Sequence, residues 1–457
     1  DKIKPNKRDV FVRYMEFLFG KIQVHNLTTG EVYNPADFAT LSGSTITKYL
    51  NRWDSKIATH NIRSGNRQVY LQNYKTRFKL GRPKYSGSLI SIDDWQPPFK
   101  THDGKRIWFY LAIDVASKAI IAFVHGKTKE GLIIEFYREL VRVCVYYGVN
   151  LPAELECESS LNSSYRETFL REGAMFDNVR IIANDAAGKF AESVFRQFRY
   201  QLSKKHDEYQ SRPFAKSESN QAGQFEPKSL YYDDIVQYCY QDIETWNNMP
   251  HDIHANMCRW DGFLQMQNPD LRPIDYKTFL YHIGYKTSTS CRTGIIKLNS
   301  QQYLIGDNDD LSEGDQLIAV MKRIEGATVD VYWIDDHNGK VIKALVYQAD
   351  QLICEAVPQP VVNRSKNERT DADRIAEAKM SKYANTIASF GKQRKNSIDQ
   401  VSIVSNERPT KKSFVIRGLR RAAVIDENAE VIILSEPSEE YEFKQEQSYT
   451  KPLIDRF

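Results

Sequence analysis

The chain lacks most of the features that would tie it to a membrane, a disulfide scaffold or a nucleotide-hydrolysing fold. No run approaches the ~18 consecutive apolar residues of a bilayer span, so no transmembrane helix is expected, and the opening residues carry no signal-peptide pattern. The chain opens on Asp1 rather than Met, so upstream residues are expected. The six cysteines, Cys144, Cys157, Cys239, Cys258, Cys291 and Cys354, are scattered and form no CxxC pair. That argues against a zinc site or a disulfide framework and for a reducing compartment. The nine histidines show no HxxxH spacing in a helical context. No GxxxxGKS or GxxxxGKT motif occurs, so the chain is not expected to hydrolyse ATP by itself.

What is present points to a polyanion. At roughly 100–200 residues per domain, 457 residues predict two to four domains. The net charge is only +4, but it is unevenly spread. Residues 1–90 hold 16 Lys/Arg against 6 Asp/Glu, and residues 361–421 hold 15 against 6. The tail 422–457 reverses the sign, with 3 against 9. Two basic segments flanking a near-neutral middle suit a nucleic acid touched at both ends, although either segment alone is equally explained as solvated surface.

The front reads as helical. Residues 9–20 form an amphipathic helix closed by Gly20. Pro35–Leu41, Ser42-Gly43-Ser44 and Thr45–Trp53 then read as helix, tight turn, helix, the pattern of a helix-turn-helix whose second helix enters the major groove. In that reading Ser44, Thr45, Thr47, Lys48 and Arg52 face DNA, while Phe38, Leu41, Ile46 and Leu50 pack inward. A non-binding helical hairpin is the plainer alternative. Residues 62–86 interleave basic and aromatic side chains without periodicity, as a linker lying along a phosphate backbone would; Arg63, Arg67, Lys75, Arg77, Lys79 and Arg82 are its candidate contacts.

The middle changes character. Strands are predicted at 89–93, 106–115, 119–124, 155–158 and 179–183, with Asp103-Gly104 marking a hairpin turn. Helices are predicted at 129–147, 188–204 and 230–249. The order β-β-β-α-β-α-β-α describes an α/β domain with a mixed sheet. After about residue 285, short strands (GIIKL, QQYLI, QLIAVM, TVDVYWID, KALVYQ, QLICEA) predict a small all-β barrel. Residues 363–396 are polar and helical, ending in a basic cluster with Lys392, Arg394 and Lys395.

Three acids stand where a ligand could reach them. Asp93 and Glu158 close apolar-alternating strands, and Glu192 lies near the start of a helix. Converging, they would make an oxygen-lined cage suited to Mg²⁺ or Mn²⁺. Taken singly, each is better explained as a structural strand-end or helix residue; their order and spacing in an α/β frame carry the weight. Asp94 is the alternative to Asp93, and Glu156 the alternative to Glu158.

These segments resemble the DDE recombinases, and the whole chain resembles the phage Mu transposase group. The likeness rests on Ser91–Gln96 for the first-acid strand, Trp108–Phe123 for the next two strands, Glu154–Asn162 for the second acid and Gly188–Arg196 for the third. Thr328–Gly339 and Leu352–Ala356 resemble the barrel of Mu-type transposases. The resemblance covers roughly residues 85–400. It departs at the second acid, where the family usually has Asp and this chain has Glu158.

The resemblance implies a helix-turn-helix-type front domain (1–60), a basic linker (61–87), a ribonuclease-H-like catalytic core (88–284), a barrel (285–361), a basic helix (362–396) and a C-terminal tail (397–457). It implies an enzyme that nicks element ends and joins them to target DNA, with two Mg²⁺ or Mn²⁺ ions held by Asp93, Glu158 and Glu192, while Asp114 is not a ligand. It further implies a tetramer on double-stranded DNA, a nucleoid-associated place in the cytoplasm, and an ATP-dependent target-DNA-binding partner meeting the 392–421 segment. A Tn7-like transposase or a retroviral-type integrase is the rival with the same core; retroviral-type integrases carry a His-His-Cys-Cys module at the front, and residues 1–90 have none. An inactive DNA-binding relative is the rival from another class.

Overall fold

Three helices open the chain: α1 (Lys7–Leu18), α2 (Gly43–Asn51) and α3 (Trp53–Arg63). The structure, a computed structural model, describes residues 5–63, 65–66, 69–70, 73–74, 81–158, 162–182, 190–210 and 228–403. The chain divides into one unit, Asp1–Lys395, and a second, Asn396–Phe457; nearly all of the second lies outside the described residues. Asn6 and Asp9 form a capping box at the start of α1, and Gly20 leaves it with φ +68°.

The predicted helix-turn-helix is not the one observed. Pro35–Asp37 is a single 3-10 turn, not the start of a helix over 35–41. Phe38, expected to pack fully inward, is 40% exposed and sets its ring edge-on to Phe17 and Tyr33. Ser42 caps α2 by accepting the Thr45 N–H at 3.2 Å, so this helix starts two residues earlier than predicted. Arg52, with ψ 150°, breaks the chain between α2 and α3. The tight helical pair is therefore α2 and α3; the expected second helix, 45–53, corresponds to α2, and α3 was not anticipated.

A five-stranded mixed sheet follows, built from β1 (Leu89–Trp95), β2 (Trp108–Asp114), β3 (Ile120–Gly126), β4 (Glu154–Glu158) and β5 (Asn178–Ile182), in the order β3-β2-β1-β4-β5. β2 runs antiparallel to β1 and β3, whereas β4 runs parallel to β1 and β5. Helix α4 (Leu132–Tyr147) makes the crossover from β3 to β4. A helix is expected between β4 and β5; the described residues there hold a helical Asn162, a 3-10 turn, Ser163–Tyr165, and further turns, and 159–161 lie outside the described residues.

Period-two alternation sends alternate residues to two cores. Ile90, Ile92, Leu155 and Cys157 face α4, packing on Phe136, Tyr137, Leu140 and Val141. Trp95, Phe109, Leu111 and Ile113 face the other side, against α5 (Phe190–Gln201) and α6 (Tyr232–Asn248). Two short helices, α7 (Arg259–Gln265) and α8 (Leu280–Ile283), lead into the barrel.

The barrel strands are β6 (Tyr285–Arg292), β7 (Ile295–Leu298), β8 (Gln301–Asp307), β10 (Thr328–Asp335), β11 (Val341–Gln348) and β12 (Gln351–Pro358), with a two-residue β9 (Asp310–Leu311) appended to β8. Every pairing is antiparallel, and β12 returns to β8, closing six strands. The strand predicted at QLIAVM is instead the middle of helix α9 (Gly314–Ile324). Leu317, Val320, Met321 and Ile324 recur at helical spacing and cover the barrel core; a six-residue apolar run was too short to show that period.

Arg142 of α4 joins the sheet to the barrel. Its guanidinium donates to Asp335 Oδ1 at 2.8 Å, to the Asp335 carbonyl at 3.1 Å, to Tyr285 Oη at 2.9 Å and to Glu135 at 2.5 Å. These contacts hold its pKa above the usual arginine value against the opposing effect of burial. The basic helix is observed as α10 (Asp371–Asn396). It lies on the barrel through buried Tyr383, whose hydroxyl donates to the Gly294 carbonyl at 2.9 Å and accepts the Ile305 N–H at 3.3 Å. No described helix is long and apolar enough to cross a membrane.

Candidate metal centre

The β1–β4 ladder is short. Its pairs are Leu89 with Glu154, Ile90 with Leu155 and Ser91 with Glu156. Beyond them β1 stays paired only to β2, as far as Trp95, and β4 only to β5, as far as Glu158. The two central parallel strands therefore part at their carboxyl ends, where ligand crevices of such sheets lie. Carrying the same register two residues further places Asp93 opposite Glu158.

One oxygen from each of Asp93, Asp94 and Glu158 lies within 4.8 Å of the others. Asp93 is buried; Asp94 and Glu158 are half-buried. The donors are all carboxylate oxygens, the set a hard divalent cation prefers. Three close carboxylates repel one another unless a cation sits nearby. Lys129 Nζ supplies one at 2.7 Å from Asp94 Oδ1, and lies 5.3 Å over the Trp108 ring. Asp94 also donates its N–H to Asp93 Oδ1 at 3.0 Å.

Glu156 has a different task. It is 5% exposed, and its Oε1 accepts the Ser91 hydroxyl at 3.0 Å and the Phe190 N–H at 2.9 Å. Ser91 Oγ in turn accepts the Ala191 N–H at 3.1 Å. Two side chains from the last ladder rung thus satisfy two of the open N–H groups at the start of α5. Glu192 follows directly in that first turn, half-buried. It is outside the group of three whose oxygens meet, and the residues leading into α5 (183–189) lie outside the described ones.

The far end of β4 is held from the α4 side. Buried Asn162 donates to the Glu158 carbonyl at 3.1 Å and to Tyr110 Oη at 2.7 Å, and accepts from Tyr137 Oη at 2.9 Å. Burial pushes both tyrosine hydroxyls well above their usual pKa, so they act as neutral hydrogen-bonding groups. Asp114, at the opposite end of the sheet, is fully buried. It accepts the Gly87 N–H at 2.8 Å and the Ser117 N–H and hydroxyl at 2.7 Å, building the β2–β3 turn.

The candidate DNA contacts are spread out. Ser44, Lys48 and Arg52 are exposed along or just after α2, whereas Thr45 and Thr47 are half-buried. Arg63 donates to the Pro5 carbonyl at 3.2 Å, and Arg82 is bound to Asp252 at 2.7 Å. Burial alone would raise the Asp252 pKa, but Lys118 and Arg82 bring it down to about 2. Arg67, Lys75, Arg77 and Lys79 lie outside the described residues. Lys392, Arg394 and Lys395 are exposed at the end of α10. Sequence reading missed Ser91, Lys129 and Asn162 as functional residues. Ser91 was recoverable, since it shares a strand face with Asp93; Lys129 was not, because only the fold brings it to Asp94.

No family model and no curated protein matches the chain. Among solved structures, the chain is similar to one from the cryoEM structure of a simian T-cell lymphotropic virus intasome in complex with PP2A regulatory subunit B56 gamma. The identity is 12%, over 70% of this chain and 92% of that one, with a TM-score of 0.29; a likeness that weak carries no weight for fold or function.

Proposed function

We propose that the chain is a DNA transposase with a ribonuclease-H-like core, which nicks the 3′ ends of its element and joins them to target DNA. The observation that carries this reading is the meeting of Asp93, Asp94 and Glu158 where the central parallel strands part. The sheet order, the closed barrel after it and the segments that resemble Mu-type transposases support it in sequence order.

Asp93 and Glu158 are the two ligands from the sheet. Glu192 is the third, delivered by an α5 whose start is fixed to the same sheet face by Ser91 and Glu156. Asp94 is the alternative donor, with Lys129 balancing its charge. Two Mg²⁺ or Mn²⁺ ions held there would activate water or a 3′-hydroxyl and stabilise the leaving oxygen at a phosphodiester. The all-oxygen donor set fits those ions. Glu158 stands where the family usually has Asp, and Asn162 holds its backbone carbonyl at 3.1 Å.

The front domain, with Ser44, Lys48 and Arg52 exposed, would bind element ends, and the basic end of α10 would hold phosphate backbone. A tetramer on DNA in the bacterial cytoplasm, and an ATP-dependent target-binding partner at residues 392–421, complete the proposal. The test is strand transfer with pre-cleaved end DNA, Mg²⁺ and a plasmid target. Joined product that disappears with EDTA and in D93N supports the reading. End binding with no joining in Mg²⁺ or Mn²⁺ overturns it in favour of an inactive DNA-binding relative.

A further inference from the structure

A second cavity opens at the same end of the sheet. The row Asp94–Tyr110–Val124 crosses from β1 to β3, and the row Trp108–Gly126 lies beyond it. One residue further, Ile107 and Lys127 enter the wall of a cavity of about 450 Å³, within the ~300–1,000 Å³ range of small-ligand pockets. Lys127 and Lys129 are two residues apart, one in the cavity wall and the other bonded to Asp94. The cavity therefore lies at the same end of the sheet as the carboxylate crevice.

Its lining combines cations with aromatic rings. Lys105, Arg106 and Lys127 contribute the charge. The His102 and Tyr231 rings meet edge-on at 4.5 Å, and Lys127 Nζ lies 5.7 Å over the Tyr232 ring. The walls are tied together: Leu230 donates its N–H to the Lys100 carbonyl at 3.0 Å, and Thr101 bridges to Leu230. Arg106 is pinned by donating to the Gln210 carbonyl at 2.9 Å. Asp103, the acid of the lining, is turned to Thr101 and to Lys105 at 3.5 Å. Tyr231 stays 70% exposed at the mouth, a large ring with no apolar cover.

We propose that this cavity takes one unpaired DNA nucleotide, its base against Tyr231 and His102 and its phosphate against Lys105 and Lys127. Cations with exposed rings are the chemistry that holds single strands. A duplex keeps its base faces stacked on one another, so only an unpaired base can enter. Its bearing on the reacting strand, at the same end of the sheet, rests on the transposase reading; the binding itself does not.

The test uses the full chain in EDTA, where no metal-dependent cleavage can occur, with fluorescein-labelled oligothymidylate and a duplex of equal length followed by anisotropy. Tyr231→Ala is expected to weaken single-strand binding by about 10-fold, with duplex binding and the melting temperature unchanged, and Tyr231→Phe to restore it. Lys127→Ala is expected to lower the salt slope by about one. Oligonucleotides carrying 4-thiothymidine should crosslink to residues 102 or 231. Unchanged single-strand affinity in Tyr231→Ala and Lys127→Ala, or crosslinks that map only elsewhere, overturns the proposal; should an alanine variant unfold, the Tyr231→Phe and crosslinking results decide. If strand transfer fails while Tyr231-dependent binding holds, the catalytic reading falls and the cavity stands; the reverse result removes the cavity alone.

Discussion

The Ser91 hydroxyl donates to Glu156 Oε1 at 3.0 Å across the last rung of the β1–β4 ladder. The pair sits two residues before Asp93 and Glu158 on the same strand face and holds the start of α5. Glu156→Ala would strand the Phe190 N–H and loosen Ser91, costing about 1–3 kcal/mol in urea unfolding. Glu156→Gln keeps an acceptor oxygen and should cost less. Equal stability of Glu156→Ala and the parent chain would contradict this anchoring role.

Metal binding separates the candidate ligands. Asp93→Asn and Glu158→Gln should each weaken Mn²⁺ binding, followed by calorimetry, beyond the ~10–100-fold that outer-shell changes cost. Glu192→Gln should do the same while DNA binding persists. Should Glu192→Gln bind Mn²⁺ normally and Asp94→Asn fail to, the third ligand is Asp94.

Arg142 links α4 to β10 through Asp335. Arg142→Met fills the space of the stem but removes the guanidinium that Asp335 and Tyr285 accept from, while Glu135 keeps Arg138 at 3.0 Å and the Tyr285 hydroxyl at 3.3 Å. The expected loss is about 1.5–3 kcal/mol, the scale of hydrogen bonds to charged groups. Denaturant unfolding measures it, and a change below ~0.5 kcal/mol would mean water replaces the guanidinium at no cost.

His206 donates a pH-dependent contribution. Its ring lies 2.9 Å from Asp242 Oδ1 and stacks on Tyr238 at 4.6 Å. The Asp242 hydrogen bond raises its pKa above 6.5, against the opposing effect of burial. A raised folded-state pKa stabilises fully below the unfolded value and is lost as pH rises through the folded one. The stability gap between the parent chain and His206→Gln should therefore be larger at about pH 6 than at about pH 8. A gap independent of pH would show that the ring acts by packing alone.

Much of the frame was legible because it is written in local periodicity. Ile90 and Ile92 alternate with Ser91 and Asp93, which names both the strand and its two faces. Phe136, Leu140 and Cys144 recur at helical spacing and name α4. Where a segment was short, the signal failed: QLIAVM read as a strand, and Pro35–Leu41 as a helix, because neither spans enough turns to reveal its period. Helix α3, which starts directly after Arg52, went unread because its few apolar residues show no clear helical stripe.

By itself the sequence determined which acids close apolar strands and on which face each one lies, since side-chain direction along a strand is set by covalent geometry. It therefore singled out Asp93 and Glu158 but left Glu156 and Asp94 as alternatives. Only the tertiary structure separated their tasks. Glu156 is taken by the start of α5 and Asp94 is met by Lys129, contacts between segments 34 and 35 residues apart. The parting of β1 from β4 past Ser91 and Glu156 is likewise a property of the assembled sheet, since it depends on which neighbour each strand keeps.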